Sequence, residues 1–177
     1  QAFKLKLVNG EISFPFSGTC WYSGGIYNSA SHFCDLFQFL FGEPKSWAAR
    51  SAFEFGQKPS DPHADFAVEF ESGHIEFKPI PNQQVFYNRF ELVFGNCVVS
   101  YQQNGDLELY MQEDRSEFDD RSFFSNKPFV ISSDMSMYQK NVYVDLLSAI
   151  NDGKSNLATG EEALVWNDVF DDLIQYA

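Results

Sequence analysis

The chain has 177 residues, of which 44% are hydrophobic and 18% aromatic, so it can form one domain with a sizeable core. Its formal net charge is -13, which disfavours a nucleic-acid partner because an acidic surface repels phosphate backbones. No apolar run approaches the length of a membrane-spanning helix, which disfavours a membrane partner. The three cysteines have no framework spacing, so we expect reduced thiols and a cytoplasmic protein.

The N-terminal part predicts a strand over residues 2–8 that is already under way, so we expect the chain to begin inside a larger protein. After the turn at Asn9-Gly10, the stretch that leads to Gly25 is expected to be irregular. Further strands are predicted by apolar or alternating patterns, and Asn104-Gly105 is the strongest hairpin signal in the chain. These further strands cover residues 46–55, 64–71, 74–80, 84–94, 97–103 and 107–112.

Three helices are predicted. The first can be capped by Ser29 and ended by Gly42. They cover about 29–41, about 134–151, and a final stretch that opens at Thr159 or Gly160. The order helix, hairpin-linked sheet, two helices predicts an α+β fold: a two-layer open sandwich with a large, mostly antiparallel sheet and helices packed on one face. We expect the other sheet face to be large and aromatic and to need a second copy of the protein.

The stretch 22–44 carries the residues with the clearest chemical meaning. At about 100° per residue, the apolar side chains of the first helix fall on one side, and Asn28, His32 and Asp35 fall on the other. This polar trio lies in the first two turns, where amide groups and the helix dipole attract anionic or electron-rich ligands. Gly24-Gly25 lies just before the helix and allows close approach of a ligand to the backbone.

The same residues resemble the family of glucose–fructose oxidoreductase, inositol dehydrogenase and their relatives (Gfo/Idh/MocA). The C-terminal domains of that family carry a glycine-rich turn, then a helix with Asp-x-x-x-His, x-x-Asp-Leu and an LFGEP-like end. This chain has Gly24-Gly25, Asn28-x-x-x-His32-x-x-Asp35-Leu36 and LFGEP at 40–44. The likeness continues in the same order through ADFAVEFESGHIEF, RFELVFGNCVVSY and GEEALVWNDVFDDLIQYA. Two departures are Asn28, where the family has Asp, and Ser-Gly-Gly in place of three glycines.

The resemblance implies that residues 1–177 form a single C-terminal substrate-binding and dimerisation domain with the dihydrodipicolinate-reductase-like C-terminal fold. The parent protein would be an NAD(P)-dependent oxidoreductase that acts on a hydroxyl of a sugar or sugar nucleotide, as a homodimer or homotetramer formed through the open sheet face. His32 is implied as the catalytic base or proton relay, and Asn28 as the group that orients a neighbouring hydroxyl. The implied substrate-binding residues are Tyr22, Ser23, Gly24, Gly25 and Asp35.

The sequence lacks the G-x-G-x-x-G pattern that a dinucleotide-binding fold needs, and it lacks the family's Glu-Lys-Pro lysine. We therefore expect NAD or NADP in the parent protein, a Rossmann domain outside this chain, no cofactor bound to this chain and no turnover by it alone. No recognised metal-ligand spacing is present, so no metal site is predicted. His63 and His74 are expected to be solvated.

Two alternatives stay open at this point. The chain could belong to a binding or assembly module that kept the fold without the chemistry. It could also belong to a relative that uses a tightly held cofactor for glycoside cleavage or lyase chemistry through a transient ketone. The first alternative predicts a parent without the upstream lysine, and the second predicts products that are not oxidised overall.

Overall fold

A computed structural model describes residues 1–53, 61–81, 84–113, 122–133, 135–153 and 157–175. Two short turns, a π-turn (Ile26–Ala30) and a 3-10 turn (Met135–Met137), precede the second and third of its α-helices. The α-helices are α1 (Ala2–Val8), α2 (Ser31–Phe41), α3 (Tyr138–Asp152) and α4 (Gly160–Gln175). The strands are β1 (Phe16–Tyr22), β2 (Ser46–Phe53), β3 (His63–Phe70), β4 (Gly73–Pro79), β5 (Arg89–Phe94), β6 (Cys97–Tyr101), β7 (Leu107–Glu113), β8 (Phe123–Phe124) and β9 (Phe129–Ile131).

The strands form one sheet in the order β2-β3-β4-β1-β5-β6-β7-β8, and β9 also pairs with β7. The β1–β4 pair is parallel and the other described pairs are antiparallel, which confirms the prediction of a mostly antiparallel sheet. The hairpin predicted at Asn104-Gly105 is confirmed, because Tyr101 of β6 lies opposite Leu107 of β7. The α+β, two-layer open sandwich is therefore the fold of the chain.

The centre of the sheet is β1, in the stretch that was expected to be irregular. Phe16, Cys20 and Tyr22 of this strand are buried on the side covered by helices. Gly18 in its middle lies directly against Leu92 of β5, and a side chain at that position would overlap Leu92. The strand was not predicted because glycine, serine and threonine interrupt the apolar pattern of this stretch. The structure shows that the glycine is needed, because β1 and β5 pack closely at this position.

Residues Ala2–Val8 form a helix, so the strand predicted over residues 2–8 is wrong. Phe3, Leu5 and Leu7 alternate with lysines in a way that fits a strand. The structure buries Phe3 and Leu7 and leaves Leu5 61% exposed. Burial four residues apart is the helical pattern, and the Phe3 ring packs edge-on against Phe94 of β5 at a centroid distance of 6.2 Å.

The two C-terminal helices differ in how they pack. Helix α4 buries four side chains, including Trp166 and Phe170. Helix α3 buries none of its fifteen residues, so the prediction that both helices pack on the sheet holds for α4 and is wrong for α3. The predicted end of α3 near residue 151 and the predicted opening of α4 at Thr159 or Gly160 are confirmed: Gly153 closes α3 in the left-handed region, and Thr159 and Glu162 form a reciprocal capping box that opens α4.

The sheet face opposite the helices is mostly polar, with Trp21 and Tyr110 among charged side chains, which corrects the expectation of a large aromatic face. Alternation along each strand turns the phenylalanines toward the helices and leaves polar side chains on the other face, such as Thr19 and Glu76 on the central strands. Ion pairs link strands on this face: Arg50 of β2 reaches across β3 to Glu76 of β4 at 2.6 Å, and Lys78 of β4 pairs with Asp65 of the neighbouring β3 at 3.3 Å. Among the described residues, no helix is both long and apolar enough to cross a bilayer.

Candidate functional site

The glycine pair of the predicted motif forms a tight bend between β1 and the π-turn. Gly24 and Gly25 have φ values of 86° and 79°, a region that favours glycine. A Cβ on Gly24 would lie 3.0 Å from Nδ2 of Asn28, so the Asn28 carboxamide folds back over the bend. A Cβ on Gly25 would overlap the carboxylate of Asp61. The space that the two glycines leave beside the backbone is therefore filled, in this structure, by the side chains of Asn28 and Asp61.

The helix begins earlier and less regularly than predicted. Its first turn, from Ile26 to Ala30, is a π-turn, in which the amide of Ala30 lies 3.3 Å from the carbonyl of Gly25. Ser29 was expected to cap the helix but lies buried within this turn. Such single π-turns are frequent at functional sites. The turn carries Asn28, and the regular helix that follows carries His32.

The trio Asn28, His32 and Asp35 lies on the exposed side of the π-turn and α2. Partial burial raises the pKa of Asp35, the Glu162 carboxylate of α4 raises it further, and the nearby His32 lowers it. His32 and Asp35 are thus close enough for their charges to interact. The imidazole lies outside the apolar interior, where a proton acceptor can reach a ligand.

The reverse side of α2 is anchored in the core by aromatic rings, as the helical spacing predicts. Phe37 is fully buried and its ring meets that of Phe90 on β5 at 5.1 Å between centroids. Phe33 contacts the Tyr101 ring of β6 edge-on at 5.8 Å. Edge-to-face pairs at these distances add to the free energy gained by burying the rings. The polar trio is therefore carried on a rigid helix.

The start of the π-turn is capped by an acidic side chain from the segment before β3. Oδ1 of Asp61 accepts a hydrogen bond from the Tyr27 amide at 2.8 Å, and the Pro62 carbonyl accepts one from the Ile26 amide at 3.0 Å. Two of the amides at this helix start, those of Ile26 and Tyr27, therefore already have partners. The bound carboxylate also repels further negative charge, so it opposes the attraction for anionic ligands that the position at a helix start predicts.

The capped helix start can be compared with what a dinucleotide requires. A dinucleotide's pyrophosphate needs free amides at a glycine-rich helix start. The only diglycine turn in the sequence has Asp61 at that place, so its residues do not fit the group.

Tyr22 and Ser23 were predicted to line a substrate pocket and lie elsewhere. Tyr22 is fully buried, and its hydroxyl donates to the Ala64 carbonyl at 2.6 Å and accepts from the Ala64 amide at 3.0 Å. Its ring belongs to the core because all of its surface and its hydroxyl have protein partners. Ser23 is 6% exposed and donates through Oγ to Oδ1 of Asn88 at 3.1 Å, which ties the glycine bend to the segment before β5.

A surface cavity of about 360 Å³ lies where α1, α2 and the start of α4 meet. Asp35 and Glu162 contribute carboxylates to its wall, and Lys4 contributes an amine that lies 4.0 Å above the Phe39 ring. Asp35 is the member of the predicted trio that lines this cavity. His32 and Asn28 lie one and two turns closer to the helix start, and Asn28 lies against the glycine bend.

Two residues of this region were missed or misjudged from sequence. Asp61 was not singled out, although an Asp-Pro pair before a predicted strand is a turn signal that could have drawn attention to it. His63 was expected to be solvated but is 3% exposed and stacks on the Tyr22 ring at 6.1 Å. Burial lowers the pKa of His63, and Asp61 opposes that change.

No protein-family model matches the chain, and no curated protein matches it either. Several solved structures, in contrast, match the chain. An NAD binding oxidoreductase from Klebsiella pneumoniae superposes with a TM-score of 0.68 at 15% identity, covering 98% of this chain and 59% of that chain. Levoglucosan dehydrogenase, solved in complex with NADH, gives a TM-score of 0.66 at 15% identity over 98% of this chain and 60% of that chain.

An oxidoreductase from Agrobacterium radiobacter, solved with NAD+, L-tartaric acid and magnesium, gives a TM-score of 0.61 at 14% identity. The match covers 100% of this chain and 58% of that chain. The chain thus spans less than two thirds of the length of each of these proteins. At such identities the likeness establishes the fold, and the chain is an α+β open sandwich of the kind found within these nicotinamide-binding oxidoreductases.

Proposed function

We propose that this chain is the substrate-binding and oligomerisation part of an NAD(P)-dependent oxidoreductase that acts on a hydroxyl of a sugar or sugar nucleotide. The observation that carries the proposal is the exposed His32, on a helix anchored from behind by buried rings and one turn after the exposed Asn28. The shared fold with oxidoreductases solved with NADH and NAD+ supports the reaction class. The levoglucosan dehydrogenase likeness supports a sugar-like substrate.

His32 is the group that takes the hydroxyl proton when the carbinol carbon is oxidised. An imidazole can accept and release a proton near neutral pH, which suits a general base. Asn28 donates and accepts hydrogen bonds through its carboxamide and orients an adjacent hydroxyl. Because Asn cannot titrate, proton transfer at this turn falls to His32 alone.

Asp35 binds the substrate from the wall of the cavity that lies beside α1 and α4. Its carboxylate can accept hydrogen bonds from sugar hydroxyls, and the nearby His32 lowers its pKa. The nicotinamide dinucleotide is held by residues outside this chain, since Asp61 occupies the helix start where its pyrophosphate would bind.

The test uses the full-length protein that contains this chain. Purified protein is mixed with NAD+ or NADP+ and a panel of polyols, inositols, aldoses and sugar nucleotides, and formation of the reduced nicotinamide is followed by its absorbance. We expect turnover with at least one polyhydroxylated substrate. Product analysis must show a ketone or lactone, because a net cleavage product would identify glycoside or lyase chemistry instead.

The decisive variant is His32→Ala. Loss of a general base lowers rates about a hundredfold to ten-thousandfold, so we expect a fall of that size in kcat with cofactor affinity unchanged. His74→Ala is the matched control, because His74 lies on the open sheet face, away from α2, and its loss should leave kcat unaffected. Normal turnover in the His32→Ala protein would remove this residue from the mechanism.

A further inference from the structure

The π-turn that carries Asn28 is held by one segment of the chain through two consecutive backbone amides. The Tyr27 amide donates to Asp61 and the Ile26 amide donates to the Pro62 carbonyl. Because these bonds are made to adjacent residues of the turn, they fix both its position and its direction relative to β3. Asn28 follows Tyr27 directly, so its backbone position depends on them.

Gly25 shows how closely Asp61 is fitted to the turn. A Cβ at Gly25 would overlap all three terminal atoms of the Asp61 side chain. Gly42, at the other end of α2, has nearly the same backbone conformation, with φ 88° and ψ -171° against φ 79° and ψ 167° at Gly25. Nothing lies within 4 Å of a Cβ built on Gly42. The contrast isolates the Asp61 carboxylate as the cause of crowding at Gly25.

The Tyr27 side chain packs against α4. The Tyr27 ring meets the Phe170 ring edge-on, with 5.5 Å between centroids. The backbone amide of the same residue is bonded to Asp61, so Tyr27 is held through both its ring and its backbone. A turn held in this way presents Asn28 in one orientation over the glycine bend, next to the helix that carries His32.

We propose that Asp61 is a positioning residue for the candidate site: by capping the π-turn at Tyr27, it sets the placement of Asn28 relative to His32. This inference rests on the proposed function, because the placement matters only if the two side chains act on one substrate. The capping needs a hydrogen-bond acceptor at Oδ1. An asparagine at position 61 keeps that acceptor, and an alanine removes it.

The test compares Asp61→Ala and Asp61→Asn in the full-length protein. Misplacing a substrate-orienting group by about 1 Å can cost up to a hundredfold in rate, so we expect Asp61→Ala to lower kcat about tenfold to a hundredfold. Cofactor affinity should stay the same. Asp61→Asn should restore most of the loss, and failure of this rescue would overturn the proposal.

Asp106→Ala is the matched control for loss of stability. Oδ1 of Asp106 accepts a hydrogen bond from the Ser133 amide at 2.7 Å, the same kind of bond, at the β6–β7 hairpin. We expect this variant to lower the unfolding midpoint about as much as Asp61→Ala without lowering kcat. An equal loss of kcat in both variants would show that Asp61 contributes stability only.

A second measurement decides the proposal even if the full-length protein shows no turnover. In NMR spectra of the 177-residue chain, Asp61→Ala should shift the Asn28 side-chain amide and the His32 ring resonances, and Asp61→Asn should shift them less. Unchanged Asn28 and His32 resonances in Asp61→Ala would overturn the positioning role. Shifted resonances together with absent turnover would retain the role of Asp61 in placing Asn28 and would reject the proposed oxidoreductase function.

The fit between Gly25 and Asp61 is tested by a double-mutant cycle in the same chain. Gly25→Ala should lower the unfolding midpoint more than Gly42→Ala, because both strain the backbone and only the first crowds the carboxylate. Asp61→Ala should relieve part of the Gly25→Ala loss and none of the Gly42→Ala loss. Equal effects of the two glycine substitutions would contradict the close contact.

Discussion

Among single residues, Tyr22 has a structural role that replaces the one implied by its place beside the glycine bend. Its hydroxyl bonds to both backbone groups of Ala64 inside the core. We predict that Tyr22→Phe lowers the free energy of unfolding by about 1–3 kcal/mol, because a buried amide and carbonyl lose their partner. Urea denaturation of the 177-residue chain measures this change.

Tyr110→Phe provides the comparison for that prediction. The Tyr110 hydroxyl donates to Glu108 at 2.8 Å on the open sheet face, where water can replace it. Its loss should cost less than about 1 kcal/mol. A Tyr22→Phe protein as stable as the Tyr110→Phe protein would show that the Ala64 groups find other partners.

Sequence spacing predicts the exposure of some site residues but not the contacts that place them. The exposure of Asn28, His32 and Asp35 follows from helical periodicity, because the phenylalanines on the other side must be buried. The role of Asp61 does not follow from it, because Asp61 reaches Tyr27 across 34 positions of the chain. Contacts of this range depend on how the strands are ordered, which local patterns do not encode.

At the scale of elements, errors arose where one pattern fits two structures. Residues 2–8 alternate like a strand, yet the helix that forms buries Phe3 and Leu7 and leaves Leu5 in solvent. The π-turn was likewise not predicted, because the hydrogen bonds that hold its first two amides come from Asp61 and Pro62, which are distant in sequence. Helix ends were predicted well where capping is local, as at Thr159 and Gly153.

Helix α3 gives the prediction that belongs to this scale. It buries no side chain, and helices of about fifteen residues are marginal in water without tertiary packing. In hydrogen-exchange experiments on the 177-residue chain, we expect its amides to be about a hundredfold less protected than those of β1, β4 and β5. Helix α4, of nearly equal length but with four buried side chains, should be protected more strongly than α3. Equal protection of the two helices would contradict this interpretation.

For the whole molecule, β1 joins the two halves of the sheet, with β2, β3 and β4 on one side and β5, β6 and β7 on the other. A side chain at Gly18 would press on Leu92 and on the Glu91 carbonyl, 2.9 Å away. We predict that Gly18→Ala lowers the free energy of unfolding by about 1–3 kcal/mol. Unfolding should remain a single transition seen alike by circular dichroism and by tryptophan fluorescence.

Gly160→Ala is the control, because nothing lies within 4 Å of a Cβ built there and the position begins a helix. It should leave stability unchanged or slightly higher. Two separate transitions in the Gly18→Ala protein would mean that the halves of the sheet fold independently. That result would contradict the central role of β1.

The position of β1 also has a consequence for the order in which the molecule is built during synthesis. Phe16 of β1 pairs with Gly73 on one side and with Phe94 on the other, so β1 gains both neighbouring strands only after these later residues have been synthesised. Pairings between such distant positions slow folding. In a nascent or truncated chain that ends before residue 89, one edge of β1 has no partner and can pair with another chain. Such incomplete chains are therefore expected to aggregate more readily than chains that extend past β5.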